Sequence, residues 1–101
     1  MSILLAADIG RRRTGLAIAD TTAGFVVALD TLKHPSEKEL IEGIVRIAKE
    51  RRASELIVGL PLLPQGGEGE QSTFVRSVAK ELQKQSGLPV TLLDERYSTQ
   101  T

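Results

Sequence analysis

Cysteine is absent from this 101-residue chain. That removes disulfide scaffolds, thiol nucleophiles and thiolate sites for zinc or iron–sulfur clusters. Histidine is nearly absent too, and the single His34 can build neither a histidine-ligated metal centre nor a His–His pair. Aromatic residues are confined to Phe25, Phe74 and Tyr97, too few for the stacking platforms that commonly hold single-stranded nucleic acid. Nor is there a charge excess, since 13 Lys and Arg stand against 13 Asp and Glu. A generally basic coat is thereby excluded, and only a local basic patch is left open. Apolar runs are short, Ile3–Ala7 among them, so no membrane span is expected. Met1-Ser2-Ile3 carries no basic stretch ahead of an apolar core, which makes the cytoplasm the expected compartment. What remains is one small α/β domain spanning 1–101, with carboxylates as its available metal ligands.

Apolar residues make up 41% of the sequence, enough for a modest core. Their spacing divides the chain into elements. Ile3–Ile9 is nearly unbroken and suits a central strand buried on both faces. Gly15–Asp20 reads as a second strand, Thr21–Gly24 as a turn and Phe25–Leu32 as a third strand, which together make an antiparallel meander. The period then changes. Ser36, with Glu39 three residues on, has the spacing of a capping box, and Leu40, Ile41, Ile44, Val45 and Ala48 form one face of a helix running to about Arg52. Leu56–Leu60 is a fourth strand, ended by Pro61, and 64–71 is a polar glycine-rich loop. Phe74, Val75, Val78, Ala79 and Leu82 mark a second helix that Gly87 closes, and Val90–Leu93 is a fifth strand. Strand–helix–strand units make the first, fourth and fifth strands parallel. The expectation is a five-stranded mixed sheet with flanking helices, and ligand sites in such sheets lie beyond the carboxyl ends of the parallel strands.

Three features fall at that edge. Asp8 closes an otherwise apolar strand, where an unpaired carboxylate is costly near a core. It reads either as a turn residue ahead of Gly10 or as a metal-binding carboxylate on a rigid strand. Glu95, at the end of another parallel strand, could approach it across the sheet edge, and two such oxygens suit Mg²⁺ or Mn²⁺. Asp94 would face the other side. Arg11, Arg12 and Arg13 form either a solvated hairpin turn or a cation cluster that holds a phosphate beside a metal. Gly66, Gly67 and Gly69 either loosen a loop or lead a phosphate to a helix N-terminus. They lack the Lys-Ser/Thr ending of a P-loop. His34 reads as a residue preceding Pro35 where a helix begins, and Asp20 as a strand-end or turn residue.

These residues together resemble the bacterial YqgF/RuvX family, of the ribonuclease H-like fold. Asp8-Ile9-Gly10, Arg13, Gly15, Ala17 and Asp20 match its opening motif, Ile57–Leu62 with Gly66–Gln71 its central strand and loop, and Asp94-Glu95-Arg96-Tyr97-Ser98-Thr99 its third motif. The resemblance covers the whole chain and implies a metal-dependent nuclease. It implies processing of the 5′ end of pre-16S rRNA or, by similarity to RuvC, resolution of Holliday junctions in DNA. Asp8 and Glu95 would then be catalytic metal ligands for Mg²⁺ or Mn²⁺, with Arg11, Arg13, Gly66, Gly67 and Arg96 binding nucleic acid. Two departures stand out: Gln65-Gly66-Gly67 replaces the family's Asp-Gly-Ser, and Tyr97 replaces Leu or Phe. The family also continues into a C-terminal helix with a third acidic ligand, so this chain is expected to be truncated there. Self-association as a homodimer would cover the sheet face so exposed. A competing expectation is a non-catalytic nucleic-acid-binding module of the same fold. A third is a relative of actin and the sugar kinases, to which Asp8-x-Gly10 with Thr14 is faintly similar, and which the chain length disfavours.

Overall fold

A computed structural model describes residues 2–62 and 69–96, with 62 and 94–96 as backbone only. Its elements are β1 (Ile3–Ile9), β2 (Arg13–Asp20), β3 (Phe25–Ala28), β4 (Leu32–Lys33), α1 (Glu37–Glu50), β5 (Glu55–Leu62), α2 (Glu70–Ser86) and β6 (Val90–Arg96). They form one mixed sheet in the order β3-β2-β1-β5-β6, with β4 also on β2. As expected, β1, β5 and β6 run parallel and β2 and β3 antiparallel.

The sheet has six strands rather than five, because the segment expected as one strand over Phe25–Leu32 is broken. Ala28 pairs with Ala17 and Leu32 with Thr14, so the ladder resumes one residue out of step. That slip is a β-bulge, which accommodates one extra residue on one side of an antiparallel pair. Two further boundaries differ from expectation. β5 continues through Pro61 to Leu62, since its pairing with β1 stops at Val58 and a strand with one neighbour tolerates a proline. β6 likewise carries Asp94, Glu95 and Arg96 within the strand instead of beyond it.

Alternation along the strands decides what is buried. Leu5, Ala7 and Ile9 of β1, Leu16 and Ile18 of β2, and Leu56, Val58 and Leu60 of β5 cluster with α1 and α2 residues in one core. Leu40, Ile41, Ile44 and Ala48 are the buried face of α1, and Val75, Val78, Ala79 and Leu82 that of α2. Both helices therefore cover the same face. Among the described residues no element covers the other, where Leu93 is 50% and Val26 72% exposed. The helix boundaries follow their caps: Ser36 Oγ accepts from Glu39 N at 3.3 Å, and Gly87 takes the left-handed conformation that ends α2. No helix among the described residues is long and apolar enough to cross a membrane.

A two-residue turn, Arg11-Arg12, joins β1 to β2, closed by Gly10 N donating to Arg13 O at 2.9 Å. A Cβ on Gly10 would lie 2.6 Å from that same backbone oxygen. Neither atom can retreat without opening the hairpin. Gly10→Ala is expected to cost about 1–3 kcal/mol, as overpacking does elsewhere, and urea unfolding of the two proteins measures it.

Candidate active site

Asp8 is set by the strand that carries it. Since Leu5, Ala7 and Ile9 face the helices, Ala6 and Asp8 face the uncovered side. There Asp8 lies opposite Gly15 of β2, beside a shallow hollow of about 460 Å³. The floor is built from small residues such as Ala6, Ala17, Ala28 and Gly59, and among the described residues Asp8 is the one charged group lining it. The carboxylate is exposed and has no hydrogen bond or ion pair to any described residue. An anion with no fixed partner beside an apolar floor favours a cation in the hollow.

Register puts Glu95 on the same face. Val58 pairs with Ala7, so Gly59 falls level with Asp8, and Gly59 in turn pairs with Leu93. Glu95, opposite Pro61, is two residues further along that face, two strands away from Asp8. Asp94 is opposite Leu60, at a position on the helix-covered side. Among the described residues no group of three or more acidic or histidine side chains stands close enough to enclose a metal ion.

The arginines are divided between neighbours. Arg11 lies over the Phe74 ring, 4.8 Å from its centroid, a cation–π contact that joins the turn to α2. Arg12 and Arg13 border a different hollow with Lys33, His34 and Pro35, and none of the three arginines lines the Asp8 hollow. Arg96 pairs by backbone with Leu62 at the far end of β6. Gly66 and Gly67 lie outside the described residues. The start of α2 is tied to this edge by Gln71, whose Nε2 donates to Ile9 O at 3.1 Å. Asp20 proves to be a turn residue: its Oδ1 accepts from Thr22 N and Ala23 N at 2.9 and 3.0 Å.

The sequence reading missed the burial of His34. Only 2% of it is exposed, and its Nε2 sits 2.9 Å from the hydroxyl of wholly buried Thr14. The available signal was Thr14's place on the inward side of β2. Burial lowers the pKa of His34 below its ordinary 6.5, against smaller raising effects from a backbone hydrogen bond and from Glu39. The unfolded chain then binds the proton more tightly, so His34 contributes stability above about pH 6.5 that is lost as the pH falls further. The melting temperature is expected to drop on acidification across that range, and to drop less steeply in His34→Gln.

The strand order, the parallel β1–β5–β6 core and the carboxylate at the end of β1 define a class, the ribonuclease H-like proteins. Thermus thermophilus RuvC, solved in complex with a Holliday junction substrate, superposes over 92% of this chain and 66% of its own, with a TM-score of 0.63 and 12% identity. A Bacteroides thetaiotaomicron protein with an actin-like ATPase fold matches 91% of this chain and 32% of its own, with a TM-score of 0.58 and 13% identity. Likeness at these identities is likeness of fold, which unrelated chemistries share. The family is narrower: the chain belongs to the RuvX family, whose model, "RuvX: Holliday junction resolvase", matches residues 2–101. A relative from Chloroflexus aurantiacus, named "Putative pre-16S rRNA nuclease", is 40% identical over 98 residues. Those residues are 96% of this chain and 63% of that relative, so the chain spans a little under two thirds of it.

Proposed function

We propose that the chain belongs to a metal-dependent nuclease acting on structured RNA, the 5′ side of pre-16S rRNA in the cytoplasm, with four-way DNA junctions as the competing substrate. The observation that carries this reading is the Asp8 carboxylate at the end of the central strand, unpaired among the described residues and on the face shared with the Glu95 position. The RuvX family and the name of the Chloroflexus relative support the substrate class. An exposed carboxylate with a second acidic position on the same face, and no cysteine thiolate anywhere, fits a hard cation. Asp8 and Glu95 would hold Mg²⁺ or Mn²⁺, which would activate water and neutralise charge gathering on the phosphate. Arg13 would clamp a phosphate, while Arg11, Arg96, Gly66 and Gly67 would hold the flanking backbone. Self-association through the uncovered face belongs to the same proposal, and sedimentation as a monomer would remove it.

The experiment compares cleavage of a pre-16S rRNA leader and of a four-way DNA junction in Mg²⁺, in Mn²⁺ and in EDTA. Cleavage of the leader that EDTA stops is the expected result. Binding of both without cleavage in either metal would replace the enzyme with a nucleic-acid-binding module.

A further inference from the structure

The β1–β2 turn, β4 and the segment leading into α1 meet around a hollow of about 490 Å³, lined by Arg12, Arg13, Lys33, His34 and Pro35. Two unsatisfied features coincide there. The first is charge. Arg13 and Lys33 are directly opposite one another on adjacent strands, an arrangement that like charges disfavour. Arg12 is held beside them, because its carbonyl accepts from His34 N at 2.9 Å. All three side chains are exposed and none has an ion pair with a described residue. The second feature is a polar atom. His34 Nδ1 is buried and, its own backbone aside, has no hydrogen-bond partner among the described residues, a state that folded proteins seldom leave uncompensated. When the Thr14 hydroxyl donates to Nε2, the ring proton resides on Nδ1, which then lacks an acceptor beyond that backbone. One oxyanion answers both needs, with oxygens for three cations and, directly or through a water, for Nδ1.

We propose that this hollow is a phosphate-binding subsite, separate from the Asp8 hollow, in which Arg12, Arg13 and Lys33 hold a nucleic-acid phosphate above His34. It deepens the nucleic-acid reading given above and rests on it. Arg13 is two residues along β2 from Gly15, the partner of Asp8. That offset is about 7 Å, roughly the axial rise of two nucleotides of one strand. A phosphate here would therefore lie about one to two nucleotides from a bond placed at Asp8. The groups facing His34 are these three cations and, from α1, Glu39, whose carboxylate favours the imidazolium. A bound phosphate would add a second anion and so favour the imidazolium further.

His34 is the only histidine, so its ring resonances report on the hollow without ambiguity. The probes are a short single-stranded RNA with a 5′-hydroxyl and the same RNA with a 5′-phosphate, both in EDTA. Saturating RNA is expected to move the His34 ring signals and to raise the pH at which they titrate. Lys33→Gln is expected to lower the slope of log affinity against log salt by roughly 0.7, the value for one phosphate contact to a single strand. It should also shrink the His34 shift. Lys84→Gln, in the last turn of α2, is expected to do neither. Thermal melting checks that each variant is folded. Equal responses to both RNAs identify an internal phosphodiester as the ligand, and a response confined to the phosphorylated RNA identifies a terminal phosphate; either sustains the subsite. An unmoved His34 signal with an unchanged slope in Lys33→Gln overturns it. Because no metal is present, the subsite and the nuclease can fail separately. A chain that cleaves but shows no His34 response loses only the subsite, and one that responds but never cleaves loses only the enzyme.

Discussion

Asp8→Asn is expected to abolish cleavage, by about 10²–10³-fold or more, the loss typical of removing one preorganised group that stabilises the transition state. The substitution preserves shape and a hydrogen-bonding oxygen, and removes the charge that would hold a divalent ion. No hydrogen bond to a described residue is lost, because the Asp8 side chain makes none, and its neighbour across the sheet is Gly15. Melting temperature should accordingly hold. Metal-free affinity for RNA should hold or rise, since a carboxylate facing phosphate repels it. Glu95→Gln is expected to behave alike, and the double variant to be little worse than either, because ligands of one site act as a unit. Were Asp8 only a turn residue, Asn would be tolerated and the rate would barely change. Cleavage rate, RNA affinity in EDTA and melting, measured on the three variants, decide the matter. Full activity in a folded Asp8→Asn protein would end the metal-site reading.

Leu5→Ala carries the largest expected effect on stability. Leu5 is fully buried on the central strand, against the core that both helices cover. Removing its isobutyl group forfeits transfer energy and leaves a cavity that a rigid sheet cannot close, about 2–5 kcal/mol in comparable cores. For a domain of this size that corresponds to a fall in melting temperature on the order of 10–25 °C. Leu93, half exposed on the opposite face, provides the contrast. Leu93→Ala should change stability by about 0.5 kcal/mol or less, as exposed substitutions do. Calorimetry of both variants tests whether the two faces differ as described. A large loss from Leu93→Ala would mean that something covers that face in solution.

Local features carried most of the architecture into the sequence. The helices were legible because apolar spacing, the Ser36 cap and the Gly87 stop agree within each segment. The parallel strands followed from the helices between them. Asp8 was legible as a charge closing an apolar run. What the sequence concealed depends on partners far along the chain. Nothing in Phe25–Leu32 marks a bulge, because the extra residue is defined only against β2. Pro61 looks like a strand end until β1 is seen to stop pairing at Val58. His34 reads as a helix-flanking residue until the hairpin brings Thr14, twenty positions earlier, to its Nε2. Lys33 drew no notice at all, since its opposition to Arg13 exists only in the register after the bulge.

That bulge makes one residue of a short segment dispensable. Three residues, Leu29 to Thr31, separate the last β3 pair from the first β4 pair. With this count Leu32 turns inward, where its Cδ2 would stand 2.8 Å from a Cβ on Gly43 of α1, and Lys33 turns outward beside Arg13. Only Gly15 and Leu16 stand opposite these three, so removing one of the three restores an even ladder and keeps Leu32 opposite Thr14 and Lys33 opposite Arg13. Removing a second would turn Lys33 toward α1 and Leu32 toward water, by the two-residue period of a strand. Descendants of this gene can thus shed the extra residue between Ala28 and Leu32 and keep both faces, but not shed two.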